Sequence, residues 1–290
     1  MVNSAQRTFR YRNMLHGFER ERHVINEVCT IGKGNGTQMR EEANNVSYAE
    51  RYIDLVAGKL NDLAHSQMER IGEGARAMAA TMMANRLIHV FGTGHSHMLA
   101  EEMFYRAGGL VQVNPILDDG LMLHRDAVSS TDLERLEGYA AVLFHRQPVD
   151  AKDTAIIVSN SGRNAVVVEM AALFREAGAT VIAITSLTHS RKVASRHSSG
   201  KKLYDVADIV IDNMSHYGDA ALQIDGTAIV TGPTSTVVGA AIVNMLAAEA
   251  IGLCVEAGVE PAVFASSNTD DGDERNRRWI KAYRGVIAGL

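Results

Sequence analysis

Residues 155–164 read AIIVSNSGRN: an apolar run over 155–158 ends in Ser159-Asn160-Ser161-Gly162-Arg163-Asn164, and a helical pattern begins directly after it. A strand-to-helix turn of this composition is dense in hydrogen-bond donors. Backbone N–H groups at a helix start lack intrahelical partners and lie at the positive end of the helix dipole, so the turn favours an anion. Ser159 and Ser161 add O–H donors, and Gly162 lets the backbone approach a ligand closely. The plainer reading of the same residues is an N-cap with ordinary turn residues. The number of donors favours a site for a phosphate group.

Working outward, residues 166–177 read as a helix, 181–185 as a strand and 208–212 as another. Upstream, the compact apolar run LIHVF at 87–91 reads as a strand, followed by Gly92-Thr93-Gly94-His95-Ser96-His97 and a helix over 98–107. A further strand is expected at 110–113, and a helix over 133–144 precedes the quoted turn. From Ser47, Tyr52, Leu55, Val56, Leu60, Leu63 and Ala64 recur at three- and four-residue spacing, which predicts a helix. Gly72 and Gly74 are expected to break it before a second helix over 75–85. Residues 234–257 read as a long buried helix, apolar nearly all round. Strands alternating with helices imply parallel βαβ units, hence an α/β doubly wound parallel sheet with helices on both faces. Such sheets bind ligands beyond the carboxyl ends of their strands, where both loops of interest lie. Residues 47–290 read as one domain.

Residues 1–46 differ. The first 40 hold seven Lys/Arg against three acids, a local charge of +4 within a chain of net charge −5. They read as a basic N-terminal extension, flexible or docked on a partner, with Met39 as an alternative start. The acidic remainder gives no support for nucleic-acid binding. With 46% hydrophobic and 22% charged residues, the 290-residue chain has ample core-forming material. Cys29 and Cys254 match no metal or redox spacing, so free thiols in a reducing cytoplasm are expected, Cys254 as a core residue. No apolar run is read as approaching the roughly 20 residues that cross a bilayer, and no signal peptide is read at the N-terminus. A soluble cytoplasmic protein without membrane contact is expected.

The loop after residue 91 begins like a G-x-G-x-x-G dinucleotide fingerprint, but His97 stands where the third glycine packs helix against strand. A nicotinamide cofactor is therefore not expected. Two loops of this kind make a different argument. Gly92, Gly94 and Ser96 can approach a sugar while Ser159, Asn160, Ser161, Gly162 and Asn164 hold its phosphate, and Thr185 and Ser186 complete the anion cup.

Those residues resemble the SIS (sugar isomerase) domain family. The likeness rests on GTGHS at 92–96, on SNSGRN at 159–164 as a variant of that family's S-x-S-G-x-T loop, and on AITS at 183–186. Asn164 departs from the usual Thr, exchanging a hydroxyl for an amide. The chain is most similar to an uncharacterised bacterial branch assigned to phosphosugar isomerases, through EEMFYRAGG at 101–109, SRHSSGKKLYDVAD at 195–208, GPTST at 232–236 and DDGDERN at 270–276. The resemblance covers most of residues 47–290. It implies a flavodoxin- or Rossmann-like three-layer sandwich and a sugar phosphate as ligand.

An aldose–ketose isomerase needs a base that moves a proton between C1 and C2 and an acid for the oxygen, each worth about 10²–10⁴ in rate. Glu101 and Glu102 follow the first loop, and Ala100-Glu101-Glu102 resembles the helix that supplies the catalytic glutamate in phosphoheptose isomerases, which makes Glu101 the first choice. A solvated surface pair is the plainer alternative. That family's histidine on the last long helix has no counterpart in 234–257. His97 is the best-placed substitute; His124, His197 and His216 are others. Arg196, His197 and Lys201, in the unusual stretch SRHSSGKK at 195–202, are candidates to cover an anionic substrate, or simply a solvated basic loop. His95, His97 and Glu101 raise a metal possibility, but a turn ending near Met98 need not aim them at one point; neither metal nor cofactor is expected. The leading expectation is a phosphosugar enzyme working by enolisation, and the competing one a non-catalytic sugar-phosphate sensor. The highly apolar helix at 234–257 and the SIS resemblance together predict a homodimer or homotetramer.

Overall fold

Runs such as AIIV at 155–158 become parallel strands because they are apolar on both faces, and a strand buried on both faces needs helices above and below it. The computed structural model describes residues 46–290. The basic stretch, Cys29 and Met39 lie outside the described residues. Two helices, α1 (Tyr48–Ser66) and α2 (Met68–Met83), lead into β1 (Ile88–Gly92). A 3₁₀ turn (Gly94–His97) and α3 (Met98–Met103) follow, then β2 (Val113–Ile116), α4 (Ala127–Leu133) and α5 (Tyr139–Phe144). Next come β3 (Thr154–Val158), α6 (Ala165–Glu176), β4 (Thr180–Thr185), the short α7 (Leu187–Ser190) and α8 (Leu203–Val206). The chain ends with β5 (Ile209–Asp212), a hairpin of β6 (Ala220–Gln223) and β7 (Val230–Pro233), α9 (Ser235–Glu256) and α10 (Gly272–Tyr283).

Strands β1 to β5 form one parallel sheet in the order β2-β1-β3-β4-β5. This is a doubly wound α/β sheet of three layers, as the alternating pattern predicted. Side chains alternate between two cores. Ile88, Val90, Ile156, Val158, Ile182, Ile184 and Ile211 face α2, α3 and α9, together with Met78, Leu99, Ile242 and Leu246. Phe91, Ala155, Ile157, Val181 and Ala183 face α5 and α6, with Val167, Met170 and Phe174. Each large side chain so buried contributes about 1.5–3 kcal/mol. Strand order reverses between β1 and β3, and a doubly wound sheet opens a crevice at that point.

Several local expectations are corrected. Gly72 and Gly74 do not break a helix; both lie inside α2, and the break falls at Gln67. Gly74 is needed for packing, since a Cβ there would lie 2.8 Å from Leu246 and 3.3 Å from Ile182. The helix expected at 133–144 is two helices, because Gly138 adopts a left-handed conformation (φ 85°) between them. The strand expected at 110–113 begins only at Val113; Leu110 instead bridges Val263. The helix expected at 98–107 stops at Met103, and Tyr105 turns to φ 45°. Helix α9 passes the length and composition test for crossing a membrane, with mean hydropathy 1.9, contrary to the expectation that no run comes near it. Its inner face, Val238, Ile242, Val243, Leu246, Ala250 and Cys254, lies in the core, while Val237 and Val255 are exposed. The hairpin β6–β7 and helix α10 were not expected.

Candidate functional site

The site forms where the loops after β1, β3, β4 and β5 meet the N-terminal end of α9. Loop one, after β1, turns at Gly92, where a Cβ would lie 2.6 Å from the carbonyl of Ser96, and at Gly94, which has φ 54°. Loop two, after β3, is the quoted turn. Ser159 Oγ accepts from Gly162 N (3.1 Å), and Gly162 has φ 58°. A Cβ at Gly162 would press on Leu203, Ser190 Oγ and Thr185 Oγ1, all at 3.2 Å. Three glycines are thus required by geometry.

His95, Ser96, Leu99, Val158, Asn160, Ile184, Asn213, Ser235 and Thr236 line a narrow cleft of about 10 Å³ at the strand-order reversal. Ser96 of loop one and Asn160 of loop two line it together. Its other donors come from residues to which the sequence reading assigned no role. Asn213 donates from Nδ2 to Asn160 Oδ1 (3.0 Å) and fixes that amide. Ser235 belongs to the first turn of α9, where Asp219 (φ 69°) accepts from Thr234 N, Ser235 N and Ser235 Oγ. The motif GPTST at 232–236 was the available signal for this end of the site.

Thr185 and Ser186 are fully buried and act on the loop itself. Thr185 Oγ1 donates to Asn160 O (3.3 Å); Ser186 N donates to the same oxygen (3.0 Å), and Ser186 Oγ donates to Ser215 O (2.6 Å). Asn164 is the N-cap of α6 but makes no side-chain cap bond; its Oδ1 accepts from Arg196 Nη1 (3.0 Å). Around these groups, Arg163 Nε, Ser190 Oγ, Ser215 Oγ and Thr234 Oγ1 are buried without a hydrogen-bond partner. Buried polar atoms are normally satisfied, so these four stand out as groups that the protein itself leaves without a partner. Burial, with Arg163 nearby, pushes the His189 imidazole below its ordinary value, while Asp219 opposes this.

The acid–base candidates stand beside the cleft rather than in its lining. His97 is buried; its Nδ1 donates to Gly94 O, and its Nε2 lies 3.3 Å from Glu101 Oε1, one helical turn on. The Glu101 side chain remains half exposed. Glu102 is committed elsewhere, accepting from Arg106 and from Asn244 Nδ2 (2.7 Å) on α9. His124 and His216 are exposed in loops. On the far side of loop two, Thr93 Oγ1 donates to Glu134 Oε2 (2.7 Å), and burial raises the Glu134 carboxyl against that bond and against Arg135 and Arg196. Glu134 was also missed. His197 and Lys201 do not reach the cleft lining; they line a separate cavity on the outer side of α6. His95, His97 and Glu101 do not form a converging three-ligand group; the one group that does among the described residues is Glu137, Glu169 and His197.

This architecture defines a class, an α/β sheet with two glycine-bearing loops at its switch point, and residues 51–186 match the family model described as the SIS domain. The chain belongs to the UPF0309 family. It is 45% identical over 241 residues to the UPF0309 protein of Geobacillus thermodenitrificans, covering 83% of this chain and 97% of that one. It is also 45% identical over 248 residues to the UPF0309 protein of Thermoanaerobacter pseudethanolicus, covering 82% and 98%. Among solved structures it is similar to a phosphoheptose isomerase from Francisella tularensis (15% identity, TM-score 0.47, covering 70% of this chain and 95% of that one). A second is the Vibrio vulnificus NanR protein complexed with ManNAc-6P (14% identity, TM-score 0.43, covering 86% and 74%). Likeness at that level supports no assignment of activity.

Proposed function

We propose that this protein is a phosphosugar-binding enzyme of the cytoplasm that interconverts an aldose and a ketose phosphate, or carries out a related SIS-domain reaction, by enolisation. The observation that carries this reading is the junction of loop one and loop two at the strand-order reversal, with His97 and Glu101, one helical turn apart, beside it. The phosphate is held at loop two and the start of α6, where Asn164 leaves the helix end uncapped. The sugar runs towards Ser96, Asn213 and Ser235 across the cleft.

In that reading Glu101 is the base that moves the proton between C1 and C2. With Nδ1 of His97 committed to the Gly94 carbonyl, Nε2 is the ring atom free to exchange a proton, and it faces Glu101. The pair can pass a proton between carbon and oxygen of the substrate. Replacing Glu101 by Gln lowers turnover of an identified substrate by about 10²-fold or more while binding survives. Full turnover in Glu101→Gln would overturn the mechanism.

A second reading, a sugar-phosphate sensor without turnover, is favoured by one observation: the Glu101 side chain is half exposed, and Glu102 is tied to Arg106 and Asn244. A thermal-shift series across pentose, hexose, heptose and amino-sugar phosphates, followed by NMR of each stabilising compound, separates the two. A ligand at 100 times its dissociation constant adds about 2.7 kcal/mol to the folded state. Stabilisation with conversion supports the enzyme; stabilisation with an unchanged sugar supports the sensor. The exposed apolar residues Val237 and Val255 on α9 and Ile53 and Leu60 on α1 support a homodimer or homotetramer, which light scattering after gel filtration checks.

A further inference from the structure

The stretch at 195–202 is absorbed only in part by the site above. Arg196 reaches Asn164, but His197 and Lys201 turn away to a cavity on the outer side of α6, lined also by Val168, Glu169, Arg175 and Ser199. At its edge, three side chains from three separate segments converge. Glu137 comes from the turn between α4 and α5, Glu169 from α6 and His197 from the 195–202 stretch, and one ligand-type atom of each lies within 4.8 Å of the others.

Hydrogen bonding holds all three in place from behind. Ser198 N (2.6 Å) and Ser198 Oγ (2.8 Å) donate to Glu137. Gly138 N donates to both oxygens of Glu169 (2.8 and 2.9 Å). His197 Nδ1 accepts from Ser199 N (3.3 Å) and lies 2.6 Å from Ser199 Oγ, so ion binding at Nε2 requires the ring tautomer in which Nδ1 donates to that hydroxyl. Glu169 and His197 of the cluster also line the cavity.

The spacing lies within ion-pair range and also suits two ligands of one ion. His197 Nε2 lies 3.5 Å from Glu169 Oε1, too far for a good hydrogen bond. Two ligands at about 2.1 Å from a tetrahedral ion stand roughly 3.4 Å apart. One imidazole and two carboxylates suit a first-row divalent ion such as Zn²⁺ better than Mg²⁺ or Ca²⁺, which prefer all-oxygen shells. We propose that Glu137, Glu169 and His197 bind one Zn²⁺-class ion, whose remaining position is open to water from the cavity. The ion ties the 195–202 stretch to α6 next to Arg196, which holds the N-cap Asn164 of that same helix and donates from its own backbone N to Arg163 O (2.8 Å). It therefore braces loop two from outside.

The test titrates the metal-stripped full-length protein with Co²⁺ and with Zn²⁺ alone. Wild type is expected to take up one equivalent, with a visible Co²⁺ absorption band of tetrahedral intensity, and with slower amide exchange over 195–202 on loading. His197→Ala and Glu169→Gln are each expected to weaken binding at least 10-fold, and to leave the metal-free melting temperature within 2–3 °C of wild type, about the shift of a 1 kcal/mol change or less. His97→Asn serves as a control, since His97 and Glu101 are the other close His–carboxylate pair at the loops. Uptake below one equivalent, or uptake lost in His97→Asn but intact in His197→Ala, overturns the proposal. Should either ligand variant fail to fold, Glu137→Gln, on an exposed turn, replaces it with the same expected loss.

Discussion

The two ends of the parallel sheet solve opposite problems. At the amino end, a buried polar cluster is saturated. Asp153, with no exposed side-chain surface, accepts from Leu87 N (3.0 Å), Asp150 N (2.7 Å), His89 Nε2 (3.1 Å) and Arg86 Nε (3.1 Å). Asn114 Nδ2 in turn donates to His89 Nδ1 (2.9 Å). At the carboxyl end, three buried hydroxyls and one guanidinium nitrogen have no partner. Met214 and Asp219 hold positive φ there, a conformation that costs a non-glycine residue energy unless something over-determines it. One end pairs its buried polar groups fully, and the other leaves four of them without a partner from the protein.

Breaking the amino end gives the largest expected effect. Asp153→Ala leaves Arg86 and the Leu87 and Asp150 amides without their acceptor, and removing one partner from such a buried pair costs about 3–5 kcal/mol. Urea unfolding of wild type and variant measures it. A loss below 1 kcal/mol would mean that the cluster does not carry the stability assigned to it. The acid limb of the same curve follows from charge. Burial pushes the Asp153 carboxyl up, but bonds from His89, Leu87 N, Asp150 N and Arg86 together outweigh it and hold the group below its usual range. A depressed folded value contributes stability that is present above the unfolded value of about 3.9 and is lost as pH falls through the folded one. Asp153→Asn flattens that part of the pH–stability curve.

Distorting the carboxyl end costs less stability and more binding. An alanine at Gly92 places its Cβ 2.6 Å from the Ser96 carbonyl, so loop one must shift. Overpacking of this kind costs about 1–3 kcal/mol. The stabilisation given by whichever sugar phosphate protects wild type should vanish in Gly92→Ala, and its survival would separate loop one from the site. Thr234→Val and Ser190→Ala run the other way. Each removes a hydroxyl buried without a partner, a group that costs about 1–3 kcal/mol to leave unsatisfied. Both variants should be as stable as wild type or about 1 kcal/mol more so without ligand, and should bind sugar phosphate more weakly. Lower stability with unchanged binding would show that these hydroxyls are satisfied within the protein.

The same contrast explains what could be read before the structure was known. Strands β1, β3 and β4 were readable because burial on both faces makes each a continuous apolar run, and loop two because its donors are contiguous between residues 159 and 164. The amino-end cluster was not, since its partners are 64 residues apart at His89 and Asp153 and no local pattern joins them. Gly74 misled because its reason for being glycine lies on Leu246 and Ile182, far away in sequence. The hairpin β6–β7 escaped notice because its strands are mostly not buried and show little apolar alternation. Helix α10 left signals that went unused: Asp273 and Glu274 in its first turn and Lys281 in its last, the charge order a helix dipole favours.

The smallest predicted effect sharpens the comparison most, because it uses the same functional group as Asp153 in the opposite sense. Glu134 lies beside loop two with one hydroxyl, Thr93 Oγ1, as its side-chain donor, and burial raises its carboxyl where Asp153 is lowered. A raised folded value means that the folded state binds the proton more tightly than the unfolded chain, whose value is about 4.3. Stability from this group is therefore present below that pH and falls as pH rises towards the folded value. Glu134→Gln keeps an acceptor for Thr93 and removes the charge, so relative to wild type it should gain stability as pH rises from 4 to 7. Asp153→Asn should lose ground relative to wild type as pH rises towards about 4, the window in which the native carboxylate gains its stability. If both variants moved in the same direction, the two ends of the sheet would not differ in how they treat a buried charge. Opposite slopes in one pair of pH-dependent unfolding series would show that the amino end stabilises its carboxylate while the carboxyl end holds one at a cost beside loop two.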